Sequence, residues 1–232
     1  MFKSKFVYVS FAVAALSLSG CGGGGSDSGT TTAVTSFPLQ AGYKVLISTG
    51  AADNFSISGT CTGTANITTG AATTSTFEGV VGYAAPQTVT INVTNCTLAS
   101  NAVTGTNYYD SNYTPLGSNI PGVEYAKFLT QPPAIPASVK VGDTAVYATF
   151  TTYTNSTKTT PTGQSILSYV IESDTSVSAI VNLISKDYDL ANQLLFTQQS
   201  KYRVVADGSL TILSIDVHYS TTSTNHLLFT KS

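Results

Sequence analysis

Charge is scarce in this 232-residue chain: 9% of its residues are Asp, Glu, Lys or Arg, with 10 basic against 12 acidic. No basic cluster occurs, which excludes nucleic-acid binding through an electrostatic footprint. Tryptophan is absent, and histidine occurs only as His218 and His226. Few titratable groups are therefore left from which an acid–base pocket could be assembled. There is no Gly-x-Ser-x-Gly elbow, no Cys-x-x-Cys pair and no complete calcium loop. Internal repeats of solenoid period are missing, and no helical membrane stretch follows the N-terminal region. With so little charge, solubility rests on the hydroxyls and amides of abundant Thr, Ser and Asn.

What the N-terminus does contain is ordered. Lys3 and Lys5 precede an apolar stretch from Phe6 to Leu18, interrupted by Tyr8, Ser10 and Ser17. The stretch is shorter than the about 20 residues of a spanning helix and has the length and flanks of a secretory signal core. Leu18-Ser19-Gly20-Cys21 follows, and it resembles the bacterial lipobox. The resemblance covers the first tenth of the chain. It implies cleavage before Cys21, a diacylglycerol on the Cys21 thiol and acylation of the new amine. It also implies an outer-membrane destination, because Gly22 stands where an aspartate favours inner-membrane retention. Two or three acyl chains hold firmly where one does not, at roughly 0.8 kcal/mol per buried methylene. Residues 1–20 thus form the expected signal, and the Gly/Ser/Thr-rich residues 21–36 an expected flexible tether to the membrane.

Without Lys3 and Lys5 the mature chain keeps 8 basic and 12 acidic residues, a net charge near −4. Lipidation uses one of the three cysteines. Cys61 and Cys96 remain as an even pair in an oxidising compartment and are expected to form a disulfide. Closing about 35 residues, it would stabilise by roughly 3–4 kcal/mol.

Strand signals dominate the rest, and the expected fold is all-β with antiparallel sheets, either a sandwich or a curved meander. Residues 87–93 alternate, with Val89, Ile91 and Val93 on one face and Thr90 and Asn92 on the other. Phe55, Ile57, Gly59 and Cys61 alternate likewise. Shorter strands are predicted at 43–48, 65–68 and 76–81, giving a small β unit over 37–106. Residues 107–142 hold Tyr108, Tyr109 and Tyr113, then Pro115, Pro121, Pro132, Pro133 and Pro136. Because proline removes ladder donors, this region is expected to be a connection, either between two sheet units or packed as a functional loop. An antiparallel meander is predicted over 143–232, with strands at 144–153, 165–172, 176–185, 193–198, 201–206, 209–219 and 226–230. Asp207-Gly208 suits a two-residue hairpin. Within 209–219 the apolar set slips from Leu210 and Ile212 to Ile215 and Val217, which predicts a bulge. One helical turn is conceivable at 186–195.

Ser214, Asp216 and His218 share a strand face, but residues two apart lie about 7 Å from each other. They are expected to be a solvated stripe, and no catalytic residue, metal site or cofactor is assigned. Asp110 with Asn112, and Asp187 with Asp189, read as turn residues rather than calcium ligands, and Glu172 and Asp174 as solvated charges. Tyr108, Tyr109 and Tyr113 are the candidate binding surface, since amphipathic rings suit wet interfaces; packing of the connection is the competing role. The function expected from these observations is that of an outer-membrane lipoprotein without catalytic activity. It would serve as a structural or protein-binding module of the envelope, meeting a partner through Thr-rich faces or sheet edges. The alternatives are a carrier for an apolar ligand within the curved sheet and, remotely, an envelope hydrolase.

Overall fold

The computed structural model describes residues 33–96, 100–220 and 226–232. Cys21, the lipobox and most of the tether lie outside the described residues. Among the described residues one helix, α1 (Leu39–Thr49), precedes thirteen strands. They are β1 (Ala51–Gly59), β2 (Thr62–Thr69), β3 (Thr73–Phe77), β4 (Val80–Thr94), β5 (Asn101–Asp110), β6 (Pro115–Ile120) and β7 (Glu124–Phe128), followed by β8 (Thr144–Tyr153), β9 (Pro161–Ser173), β10 (Ser178–Tyr188), β11 (Leu194–Val205), β12 (Leu210–Tyr219) and β13 (His226–Lys231).

All pairings are antiparallel, as expected, but the sheet is neither a sandwich nor two units. From β4 to β13 each strand pairs with the next, and β13 pairs with β1, joining the last strand to the first. β2 then pairs with β4 from Thr62↔Thr94 to Thr69↔Gln87. Twelve strands therefore close into one barrel, and β3 stands outside the ring. Closure satisfies backbone groups that an open sheet would leave exposed.

Period-two alternation sets which side chains fill the barrel. Phe55 and Ile57 of β1, Ala65 and Ile67 of β2, and Val89 and Ile91 of β4 point inward and are buried. Asn54, Ser56, Thr64, Thr68 and Asn92 on the same strands face out. Threonines also pair across strands on this outer face, as Thr88 and Thr104 do at 2.9 Å. On β12 the predicted slip is present: Lys201 pairs with Ser214 and Tyr202 with Ile212, leaving Leu213 as the extra residue of a bulge.

Residues 107–142 are not a mere connection, because they supply the end of β5 and all of β6 and β7. Pro115 is tolerated because it opens its strand, where a missing N–H costs little. Only 129–143 crosses between strands, and it packs over one barrel mouth. Residues 76–81 are not one strand but the end of β3, a turn and the start of β4. Residues 186–195 form no helical turn; β10 runs through Tyr188, and Asp189 accepts bonds from Ala191 and Gln193 in the turn that follows.

The predicted strand at 43–48 lies within α1. Leu39, Tyr43, Leu46 and Ile47 recur at helical spacing and all are buried. Tertiary packing outweighs the β-branched content of the segment. The helix lies across the same mouth as 129–143, with Gln40 N–H donating to the Pro136 carbonyl and Phe37 bridged to Val139. Gly42 permits this approach: a Cβ there would fall 1.8 Å from the Gly208 carbonyl oxygen in the β11–β12 turn. Beneath the helix, the Tyr43 and Tyr109 rings meet edge to face at 6.4 Å, and burial raises both phenol pKa values. The space left there is a cavity of about 40 Å³ lined by Leu39, Tyr43, Ile135, Tyr169, Val181 and others. It has room for a few water molecules and not for a drug-sized ligand.

At the opposite mouth, Cys61 and Cys96 form the expected disulfide, with a Cα–Cα distance of 5.2 Å across a separation of 35 residues. It ties the β1–β2 turn to the end of β4, where β2 and β4 close the ring. Deep in the wall, the fully buried Asp53 carboxylate meets Lys231 Nζ at 2.6 Å. That pair fixes the C-terminal strand against the first.

Candidate functional site

Three features of the barrel bear on recognition. The first is β3, the one described strand with a neighbour on a single side. Its register runs from Thr73↔Ala84 to Phe77↔Val80, and Glu78-Gly79 makes the intervening turn with φ values of 51° and 83°. Both lie in the left-handed region that two-residue type I′ hairpins require. In that geometry Thr73, Ser75 and Phe77 exchange bonds with β4, while Thr74 and Thr76 turn their N–H and C=O groups outward. Natural edges are blunted by lysine, proline or inward charges. Thr73–Phe77 reads TTSTF and has none of these.

The hairpin tip is held firmly. Phe77 stacks on Tyr108 at 4.4 Å and on Tyr125 at 5.4 Å, lying over Gly117, where a Cβ would come within 2.8 Å of the ring. A glutamate in the left-handed region costs about 1–2 kcal/mol, and the contacts of Glu78 offset that cost. Its Oε1 accepts the Tyr125 hydroxyl at 2.5 Å. Lys158 Nζ donates to both carboxylate oxygens, at 2.7 and 2.6 Å, and Lys127 Nζ to Oε2 at 3.0 Å. The Lys158 and Tyr125 hydrogen bonds hold the carboxyl at a pKa of about 2, well below the ordinary 4.5. Burial, together with the Glu78 carboxylate, raises the Tyr125 phenol.

The second feature is a cluster on the outer face of β12 and β13. His218 and His226 are direct cross-strand partners, and their rings stack at 4.3 Å. Asp216 Oδ1 lies 2.7 Å from His226 Nε2 and 3.1 Å from His218 Nε2. The spacing argument that kept Asp216 and His218 apart fails here, because both side chains lean toward one shared carboxylate oxygen. Ser214 lies two register pairs away, opposite Thr230. Among the described residues, Asp216, His218 and His226 are the group whose ligand atoms gather closely enough for a metal ion.

Comparison with protein-family models, with curated proteins and with solved structures finds no match to this chain.

The third feature, the candidate aromatic surface, dissolves on folding. Tyr109 points inward against Tyr43 and is 2% exposed, whereas its neighbour Tyr108 points outward beneath Phe77. Tyr113 stacks on Tyr83 at 4.5 Å and is buried, with the Lys44 ammonium 5.6 Å from its ring centre. Strand alternation separates Tyr108 from Tyr109, so the three rings anchor structure and form no shared platform. The loop carboxylates are occupied by their own backbone or by cations. Asp110 Oδ1 accepts from the N–H groups of Asn112 and Thr114. Glu172 pairs with Lys201 at 2.8 Å and Asp174 with Arg203 at 2.6 Å, and those partners lower both carboxyl pKa values despite desolvation. These two are ion-paired rather than free solvated charges.

Two of these features escape a local scan. Glu78-Gly79 between Phe77 and Val80-Val81 is a hairpin signal hidden inside one β-rich run. His226 faces His218 only once the register of the last hairpin is known.

Proposed function

We propose that this chain is a lipid-anchored, non-catalytic module of the bacterial envelope that holds an envelope protein by strand addition at β3. The observation that carries this reading is the edge itself. The other described strands are paired on both sides, and Thr73–Phe77 keeps one row of backbone donors and acceptors that no described strand meets. An extended segment of a partner can complete that row, with main-chain bonds giving affinity. The edge is uncharged, and its tip is fixed by Phe77 and Glu78, which lowers the ordering cost of association.

The interior supports the same choice over a carrier. The cavity beneath α1 measures about 40 Å³ and a second, between α1 and the β11–β12 turn, about 110 Å³, against roughly 300–1,000 Å³ for small-molecule sites. The outward Thr, Ser and Asn of β1, β2 and β4 also differ from the apolar belt that a membrane-spanning barrel presents to lipid. Attachment is accordingly assigned to Cys21 and the acyl chains implied by its lipobox.

A photo-crosslinking side chain placed at position 74 of the full chain in its native envelope tests this. A discrete protein adduct is expected at 74 and not at 64, on the outer face of a doubly paired strand. Thr76→Pro, which deletes an outward donor, should abolish the adduct while the strand-rich circular dichroism spectrum persists. Adducts of equal yield at 74 and 64, or an unchanged adduct in Thr76→Pro, would refute strand addition. Release of Cys21→Ala into the soluble fraction checks the anchor separately.

A further inference from the structure

We propose that Asp216, His218 and His226 form a binding site for a divalent transition-metal ion of the zinc class. The assignment is independent of the β3 edge and begins with the chemistry of the donors. Imidazole nitrogen with one carboxylate oxygen is the mixed set that Zn²⁺ and its borderline-soft neighbours accept, whereas hard ions such as Ca²⁺ take oxygen only. Both histidines of the chain are in this one place.

Geometry comes next. In a tetrahedral zinc site with bonds of about 2.0–2.1 Å, ligand atoms sit about 3.3 Å apart. Here Asp216 Oδ1 is 2.7 and 3.1 Å from the two Nε2 atoms, and all three ligand atoms lie within 4.8 Å of one another. Small side-chain rotations bring the three onto one ion. Strand pairing sets the backbone beneath. His218 and His226 face each other across the β12–β13 ladder, and the His226 N–H is held by Thr60 Oγ1 at 2.9 Å. Three of four zinc positions are filled from two strands, and the half-exposed face leaves the fourth to water or an external ligand.

Without an ion, His226 Nε2 is hydrogen-bonded to Asp216 Oδ1 at 2.7 Å, while His218 Nε2 stands 3.1 Å from the same oxygen. Ion binding replaces these contacts with metal–ligand bonds: any proton on Nε2 passes to water, and each ring binds as the neutral imidazole with its single proton on Nδ1. It needs no oxidant or reductant.

The test uses the full chain, purified in detergent without a histidine tag, and zinc chloride. Calorimetry should give one saturable site per chain. Proton NMR should show the two imidazole Cε1–H signals, the only two in the molecule, shifting together and saturating at the same equivalence. His218→Ala, His226→Ala and Asp216→Asn should each weaken binding more than about tenfold, with circular dichroism showing each variant folded. Absence of a saturable site overturns the proposal, as does unchanged affinity in the His218→Ala/His226→Ala double variant. Zinc binding that leaves the imidazole signals unmoved overturns it in the wild-type chain, without recourse to substitution.

Discussion

Replacing Glu78 by glutamine keeps the side chain's size and the left-handed turn but removes its charge from Lys158 and Lys127. A carboxyl pKa of about 2 against an ordinary 4.5 corresponds to about 3 kcal/mol at full weight. Both lysine side chains are about a third exposed, and exposed pairs yield about 0.2–1 kcal/mol each. The loss for Glu78→Gln should therefore be about 1–2 kcal/mol at pH 7. The sign with pH follows from the depressed pKa. The contribution is fully present above pH 4.5 and fades as pH falls through 2, so wild type and Glu78→Gln should converge there. Differencing against the variant cancels Glu172, Asp174 and Asp207, whose pKa values are also lowered. Glu78→Gly also loses the Tyr125 hydrogen bond that glutamine can still accept but recovers about 1 kcal/mol of backbone strain, so it should lie within about 1 kcal/mol of Glu78→Gln. Urea unfolding at pH 7, 4.5, 3 and 2 reads all three proteins. Equal stability of wild type and Glu78→Gln at pH 7, or a gap that persists undiminished at pH 2, would refute the role given to this carboxylate.

Lys231→Met should cost about 3–5 kcal/mol, since it strands the buried Asp53 carboxylate; adding Asp53→Asn should recover most of it, and a single variant as stable as wild type in a thermal melt would count against the pair. Gly42→Ala should destabilise, because overpacking against the Gly208 carbonyl costs up to about 3 kcal/mol and exceeds the about 1 kcal/mol gained in helix propensity. A neutral urea midpoint would mean that α1 does not rest on that turn. Reducing Cys61–Cys96 should lower stability by about 3–4 kcal/mol, and unfolding curves with and without reductant at one protein concentration measure it.

Strand alternation was legible wherever one face is buried: Val89 and Ile91 point inward as their spacing implies, and even the bulge at Leu213 announces itself as a slip in phase. The helix was legible in principle. Leu39, Tyr43, Leu46 and Ile47 carry a helical period, but Val45, Ile47 and Thr49 pull a propensity reading toward strand. Closure was not legible. Pairing of β1 with β13 joins residues such as Ser56 and Thr230, and no local pattern encodes a contact of that separation. The metal-ligating cluster failed for the same reason. Asp216 and His218 are visible as a stripe, and His226 joins them only through the register of a hairpin. The tyrosines misled in the opposite direction, since proximity in sequence placed Tyr108 and Tyr109 on opposite sides of the wall.

The free edge follows from the way the ring closes. β4 runs from Val80 to Thr94, and β2 covers only Gln87 to Thr94. The overhang from Val80 to Ala84 would be an edge of its own, and β3 fills it, moving the unpaired row one strand outward. That strand is held by its ladder with β4 and by its tip, which Phe77 on Tyr108 and Glu78 on the two lysines fasten to the barrel wall. The ion-paired turn and the proposed partner site are therefore coupled. Glu78→Gln leaves every donor and acceptor of Thr74 and Thr76 in place, yet it should weaken strand addition by freeing the hairpin that presents them. If Glu78→Gln lowers stability while the adduct at position 74 forms at undiminished yield, the edge binds without preorganisation, and the fastening serves the barrel alone.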